Sequence, residues 1–233
     1  PQAFLKFVEE SYKHDAYHSL SIEGYIVTPD LIERVREGNW DPKGNEDDRN
    51  NSNALAARGS WQSFELVKGD VGKIITCAPA AELVREAHRT WYREMVAPSV
   101  TAGLLKAGAL AGYRSHPVYI RGSRHVPPRW ESLPDAMNAL FDLLAVEEAA
   151  SVRAVLGHWM FGYIHPYSDG NGRMARFLMN AILASGGYPW TIIRVDDRNR
   201  YMEALEAASI DSNIQPFTAL IAELVGQAVA EAA

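Results

Sequence analysis

The run His165-Pro166-Tyr167-Ser168-Asp169-Gly170-Asn171-Gly172-Arg173-Met174-Ala175-Arg176 packs several chemically capable side chains into a dozen residues. Proline disfavours the helical conformation of the residue before it, so His165 ends a helix and projects from a loop, where a neutral imidazole can take a proton. Gly170-Asn171-Gly172 supplies flexible backbone leading into a new helix. The N–H groups at that helix start, with the positive end of the helix dipole, make an anion seat. Arg173 and Arg176 stand three apart on the same helix, so both guanidinium groups can face one anion. Asp169 adds a lone carboxylate beside it, and Mg²⁺ is often held by one carboxylate completed with phosphate oxygens. A base, an anion seat, two arginines and one acid together suit phosphoryl or nucleotidyl transfer.

Gly170 to Ala175 also satisfies the loose Gly-x-Gly-x-x-Ala dinucleotide fingerprint. That use requires a strand just before it, inside a βαβ unit, whereas the stretch from Val152 to Ile164 has helical character.

The elements that must position this run are mostly helices. Phe4 to Tyr17 carries Phe4, Phe7 and Val8 at helical spacing, and Gly24 is a stop signal after it. Thr28-Pro29 starts a helix bearing Leu31, Ile32 and Val35, which fades at Gly38. Further helices are expected over Trp61 to Val67 and Ala80 to Val96, the latter with Leu83, Ala87, Trp91 and Met95 in register. Helices are also expected over 133–145, 147–164, 172–185, 200–208 and 216–230, with a turn at Gly186 to Pro189. Asp41 to Asn53 is polar and asparagine-rich, the strongest loop signal in the chain. Pro117 to Gly122 is β-branched and aromatic, which predicts a strand or small hairpin closed by Pro127-Pro128. The fold class expected is mainly α, with one short β element upstream of the dense run.

Bulk properties agree with one substantial core. The chain has 233 residues, 47% hydrophobic and 22% charged. A net charge of −6 argues against a protein whose main business is wrapping nucleic acid. The single cysteine, Cys77, forbids an internal disulfide and suits a reducing cytoplasm. No apolar stretch reaches the roughly 20 residues needed to cross a bilayer, so a soluble chain with no membrane partner is expected.

The dense run resembles the signature of the Fic family, His-Pro-Phe-x-(Asp/Glu)-Gly-Asn-(Gly/Lys)-Arg-x-x-Arg, with Tyr167 standing for Phe. The tyrosine keeps a ring for the core and adds a hydroxyl that needs a partner. The likeness extends through His158, Phe161 and Ile164 upstream and through Asn180 and Gly187-Tyr188-Pro189 downstream. Tyr113-Arg114 and the segment Val118, Tyr119, Ile120 resemble that family's target-binding flap. The resemblance implies a Fic-type helical bundle with a short β-hairpin flap, and protein adenylylation: AMP passed from ATP to a hydroxyl of another protein. It implies His165 as general base and Asp169 as the Mg²⁺ ligand. Gly170, Asn171 and Gly172 would cradle phosphate, with the Asn171 amide reaching the α-phosphate. Arg173 would neutralise the β- and γ-phosphates and Arg176 would meet the γ-phosphate. Partners implied are ATP and a protein substrate, with self-modification and a homodimer left open.

Near the other end, Ser19-Leu20-Ser21-Ile22-Glu23-Gly24 resembles the same family's built-in inhibitor, placed as in the subclass with an N-terminal inhibitory helix. There Glu23 would make a bidentate pair with Arg176 and take the seat of the γ-phosphate. The division expected is an N-terminal helical region, 1–97, carrying this motif, and a Fic core, 98–233. Two other activities fit the same residues. A phosphodiesterase could remove AMP with Glu23 activating water, and a non-catalytic module could merely sense ATP. His14 and His18, four apart, suit the surface of an amphipathic helix better than a metal site, which lacks a third ligand.

Overall fold

The computed structural model describes residues 1–39 and 52–232, so most of the expected Asp41 to Asn53 loop lies outside the described residues. The helices are α1 (Gln2–Ile22), α2 (Pro29–Arg36), α3 (Ser52–Ile74), α4 (Ala80–Thr101), α5 (Leu133–Val146), α6 (Ala150–Ile164), α7 (Asn171–Ser185), α8 (Arg198–Ile210) and α9 (Gln215–Ala232). Short 3₁₀ turns occur at Ala107–Ala111, Trp130–Ser132 and Val195–Asp197. None of the described helices is long and apolar enough to cross a membrane.

The centre of the molecule is α7. Arg173 through Ala184 are all buried, so this helix is enclosed on every side and its polar groups must be served from within. Helices α6, α3 and α4 pack directly against it, and α3 and α4 lie along one another. The α3–α4 approach needs Gly59, where an added Cβ would fall 1.8 Å from the Met95 carbonyl oxygen. The small residues Ala54, Ala56 and Ala57 of α3 are buried too. Both facts explain why α3 exceeds the predicted Trp61 to Val67: small residues facing a neighbour carry little apolar periodicity. α4 runs through Pro98, residue 97 lies inside it, and the buried core is continuous from Val8 to Leu224.

α1 lies along α3 and α2. Its C-terminal half is clamped by the segment leading into α8. Arg198 Nε donates to the Ile22 carbonyl at 2.9 Å, satisfying an orphan group of the last turn. The Val195 N–H donates to His18 Nδ1 at 3.1 Å. His18 is therefore buried and engaged, not a surface histidine as expected from spacing. α2 starts as predicted, the Thr28 hydroxyl accepting from the Leu31 N–H at 3.1 Å.

The β-hairpin flap is not present: among the described residues there is no strand, and Val118, Tyr119 and Ile120 are irregular backbone. Arg114 explains this. Its guanidinium donates to the carbonyls of His116 (3.0 Å) and Pro128 (2.6 Å), so one side chain bridges the two arms. Pro117, Pro127 and Pro128 bring no N–H to a ladder. The β-branched composition predicted a strand, but the His116 and Pro128 carbonyls are served by a guanidinium.

Candidate active site

His165 closes α6. Its N–H donates to the Phe161 carbonyl at 2.9 Å, and its backbone takes a left-handed conformation at φ 51, ψ 59. That conformation is uncommon for a residue other than glycine and persists only where surroundings impose it. Arg114 does so, donating Nε to the His165 carbonyl (2.9 Å) and its own backbone N–H to the Pro166 carbonyl (2.9 Å). The same buried residue thus fastens the His165–Pro166 loop and both arms of the expected flap. Sequence reasoning noted Arg114 only as part of the flap.

The imidazole is oriented by its backbone. Nδ1 lies 3.2 Å from the Gly162 carbonyl, which can only accept, so Nδ1 carries the proton and the Nε2 lone pair is left for other work. Burial lowers the His165 pKa from its ordinary value. The Gly162 bond and the charge of Glu23 oppose that shift, while Arg114 and His125 add to it. The net shift favours a neutral base.

Beneath the loop, Tyr167 is fully buried and stacks on Tyr92, ring centroids 3.6 Å apart and nearly parallel. Its hydroxyl is buried without a hydrogen-bond partner, contrary to the expectation that it would find one. The stacking surface, not the oxygen, is what this position uses. Asn171 braces the loop from the other side. It accepts from the Tyr167 N–H at 2.9 Å and donates to the Tyr167 carbonyl at 2.8 Å. Its amide is thus engaged with the loop at both ends, and the α7 N-terminus offers its backbone N–H groups to an anion. Gly170, at φ 76, makes the turn into that helix. A Cβ there would sit 3.1 Å from Met95 Sδ, so α4 supports the loop directly.

The two arginines are sunk in the core with their ends at the helix start. Arg173, 3% exposed, donates to Asp169 Oδ2 at 3.3 Å, and its Nε has no partner. The Asp169 side chain is 45% exposed, so the carboxylate faces solvent at the mouth of the site. Arg176 reaches the other way, to α1. Its Nε donates to Ser19 Oγ (2.9 Å), and its Nη2 donates to the Ser19 carbonyl (3.0 Å) and to Glu23 Oε1 (2.7 Å). The expected bidentate pair is therefore a single contact, because Ser19 occupies the Nε edge of the guanidinium. Arg176 Nη1 is buried and unpartnered.

Glu23 lies against the helix start itself. A Cβ added to Gly172 would fall 2.1 Å from Glu23 Oε1, so only glycine admits the carboxylate there. Asp15 and Ser19 of α1 and its C-cap Glu23 recur every fourth residue. Asp15 is 4% exposed, and burial raises its pKa to about 6 against the pull of the Arg176 charge. The Trp190 indole also stabilises the Asp15 carboxylate, although its N–H closes no well-formed hydrogen bond. Asp15 was missed in the sequence, although the four-residue spacing ahead of Ser19 and Glu23 carried the signal.

For a metal, no group of three His, Cys, Asp or Glu residues among the described residues can hold an ion. His14 and His18 have their Nε2 atoms 3.2 Å apart. Because His18 Nδ1 accepts from Val195, its Nε2 carries the proton and donates to His14, which closes that pair to a cation. Asp169 alone fits the pattern of a Mg²⁺ site completed by the oxygens of a bound phosphate. The flap lies alongside the loop. Tyr119 is 79% exposed there, and Val118, Pro128 and Trp130 help line a shallow hollow of about 190 Å³.

A sequence model described as the Fic/DOC family matches residues 78–183. The protein named protein adenylyltransferase Fic of Nematostella vectensis is 33% identical over 219 residues, covering 92% of this chain and 47% of that protein. The protein of the same name from Drosophila willistoni is 30% identical over 226 residues, covering 95% of this chain and 41% of that protein. The chain thus spans less than half the length of these curated relatives. Among solved structures, Fic-1 (aa134 - 508) from C. elegans superposes with a TM-score of 0.74 at 21% identity, covering all of this chain and 65% of that one. A Fic domain containing signaling protein from Bacteroides thetaiotaomicron gives 0.73 at 20% identity, covering all of this chain and 89% of that one. These two likenesses bear on the fold.

Proposed function

The chain carries a Fic/DOC family domain, and from that premise we propose that it is a protein adenylyltransferase, moving AMP from ATP to a hydroxyl of a target protein and restrained by Glu23. The observation that carries this reading is what fills the anion seat. The α7 N-terminus and Arg176 converge on one place, and an internal carboxylate, Glu23 Oε1, already stands there at 2.7 Å from the guanidinium. A seat built for an anion and held by the chain's own anion is a site under restraint.

The chemistry follows from the residues. With Glu23 withdrawn, Arg176 and the α7 N–H groups bind the polyphosphate of ATP, and Arg173 neutralises it further. Gly172 leaves room for a phosphate oxygen where a side chain would exclude it. Asp169 would hold Mg²⁺, which when bound draws charge from the phosphate oxygens. His165 Nε2 takes the proton of the target hydroxyl as that oxygen bonds to the α-phosphorus, and the bond to pyrophosphate breaks. The imidazole is suited to this because Gly162 fixes its tautomer and burial keeps it neutral. The open flap, with Tyr119 outward, gives an extended target segment free backbone and an apolar hollow beside the site.

Glu23→Gly incubated in cell lysate with ATP labelled at the α-phosphate tests this reading. Label on protein, absent in the Glu23→Gly/His165→Ala double variant, is expected. Equal labelling by the two proteins removes His165 from the role of base. No labelling by either removes the transferase.

A second reading has one specific observation in its favour. The Glu23 charge is felt at His165, where it favours the protonated imidazole. Such a pair can hold and deprotonate water, so that AMP is removed from a modified protein. AMP release that disappears in Glu23→Gly would select it; release that persists would exclude it.

A further inference from the structure

Glu23 is not the only residue of its segment that stands on the site. At the end of α1, Gly24 takes φ 90, where other residues are strained. The Gly24 N–H donates to the Ser21 carbonyl (3.0 Å) and the Tyr25 N–H to the Leu20 carbonyl (3.1 Å), the two bonds of a Schellman turn. The reversal brings Tyr25 onto the same helix start as Glu23, but over different residues. Its ring lies 5.2 Å from Arg173 Cζ, within cation–π range. Its hydroxyl reaches Asp169 Oδ2 at 3.4 Å, the oxygen that Arg173 Nη2 also approaches. Phenol, guanidinium and carboxylate therefore form a closed triangle. Beyond Tyr25 the chain is fastened again, Ile26 N–H donating to Asn53 Oδ1 at 3.0 Å, with Val27 buried.

These contacts oppose a ligand in a particular way. The negative face of the ring occupies the side of Arg173 that a phosphate oxygen would approach. The hydroxyl donates to the carboxylate that a divalent cation would need. Arg173 meanwhile keeps a buried Nε with no partner, so its donors are not satisfied in this arrangement. Glu23 leaves both Arg173 and Asp169 untouched, its contact being with Arg176.

We propose that Tyr25 is a second gate on the nucleotide site, closing the phosphate-and-cation end formed by Arg173 and Asp169 while Glu23 closes the Arg176 end. This rests on the nucleotide reading above and goes beyond it: withdrawing Glu23 opens only half of the seat. Full binding of a magnesium nucleotide requires both prongs to leave. The two are joined by a rigid turn at Gly24, so a displacement of the last turn of α1 lifts them together.

Calorimetric titration of the whole chain with a non-hydrolysable ATP analogue, with and without Mg²⁺, separates the two gates. The proteins compared are native, Glu23→Gly, Tyr25→Leu, Tyr25→Phe and each tyrosine variant combined with Glu23→Gly. Leucine retains apolar packing and removes both ring and hydroxyl; phenylalanine removes the hydroxyl alone. In the Glu23→Gly background, Tyr25→Leu should tighten the magnesium complex by about tenfold. Tyr25→Phe should give a smaller gain that is seen only with Mg²⁺. If neither variant binds more tightly than Glu23→Gly alone, Tyr25 is a packing residue and the second gate is overturned, with the role of Glu23 intact. If Glu23→Gly and all its combinations fail to bind the analogue, the nucleotide reading falls and this proposal falls with it. Should circular dichroism show Tyr25→Leu unfolded, Tyr25→Phe decides: a magnesium-dependent gain upholds the gate and no gain refutes it.

Discussion

His165, the proposed base, owes most of its state to its neighbours. Its left-handed backbone is held by Arg114, its tautomer by the Gly162 carbonyl, and its neutrality mainly by burial. Because the folded pKa lies below the ordinary value, the base stays deprotonated to a lower pH than a free histidine. Transfer by Glu23→Gly should therefore hold steady on acidification through pH 6.5 and decline only below it. A rate profile whose acid limb has its midpoint above 6.5 would contradict this. His165→Ala should lower transfer by about 10²–10⁴-fold while leaving affinity for the ATP analogue nearly unchanged, since the side chain handles a proton and holds no phosphate. The dense run made His165, Asp169, Arg173 and Arg176 legible in the sequence, because their chemistry depends on spacing along one turn and one helix start. What the Asn171 amide and the Tyr167 hydroxyl do was not legible. One is consumed in bracing the loop and the other is left idle, and both outcomes depend on what packs around them.

At the scale of elements, the proposed restraint lies in the contact between α1 and α7. It is made by Ser19 and the C-cap Glu23 meeting a single guanidinium, with Asp15 acting on it through charge. Gly172 is the point where a backbone change would disturb it most cleanly. Gly172→Ala places a methyl group 2.1 Å from Glu23 Oε1, and the carboxylate must leave. Amide hydrogen exchange across the end of α1 and the turn after it, residues 19–25, should then quicken by roughly 10- to 100-fold, as expected for losing a charge-assisted contact. Protection in the middle of α7 should not change. Unaltered exchange at 19–25 would mean that the clamp by Val195 and Arg198 holds the turn alone. The helix start after Thr28, and to within one residue the start expected at Gly172, were legible because capping and glycine signals are local. The flap was not, since whether an extended segment becomes a strand depends on a partner, and here Arg114 takes the carbonyls of both arms.

Over the whole molecule, one continuous core encloses several ionisable groups, and their sum sets the response to acid. Burial lowers the pKa of His18 and His88 to about 4 and of His158 to about 3. Each binds a proton in the unfolded chain below about 6.5 but not in the folded one, so each contributes stability that is lost as pH falls through 6.5 towards 4. Asp15, raised to about 6, acts in the opposite sense between about 4 and 6. Three groups outweigh one, so stability should drop by several kcal/mol, in order of magnitude, between pH 7 and pH 4. Asp15→Asn should steepen that loss in denaturant titrations; a shallower loss would show that Asp15 stays charged in the fold. The mainly helical class was legible from periodicity across the chain. The close α3–α4 crossing at Gly59 was not, because small residues leave no apolar pattern. The central claim is an adenylyl-transfer site held shut by Glu23. It is tested most directly by comparing native and Glu23→Gly proteins with ATP labelled at the α- or the γ-phosphate. Restraint of adenylyl transfer predicts α-label on protein, strongly increased in Glu23→Gly, and no γ-label in either. Label from the γ-phosphate, or equal α-labelling by both proteins, would contradict it.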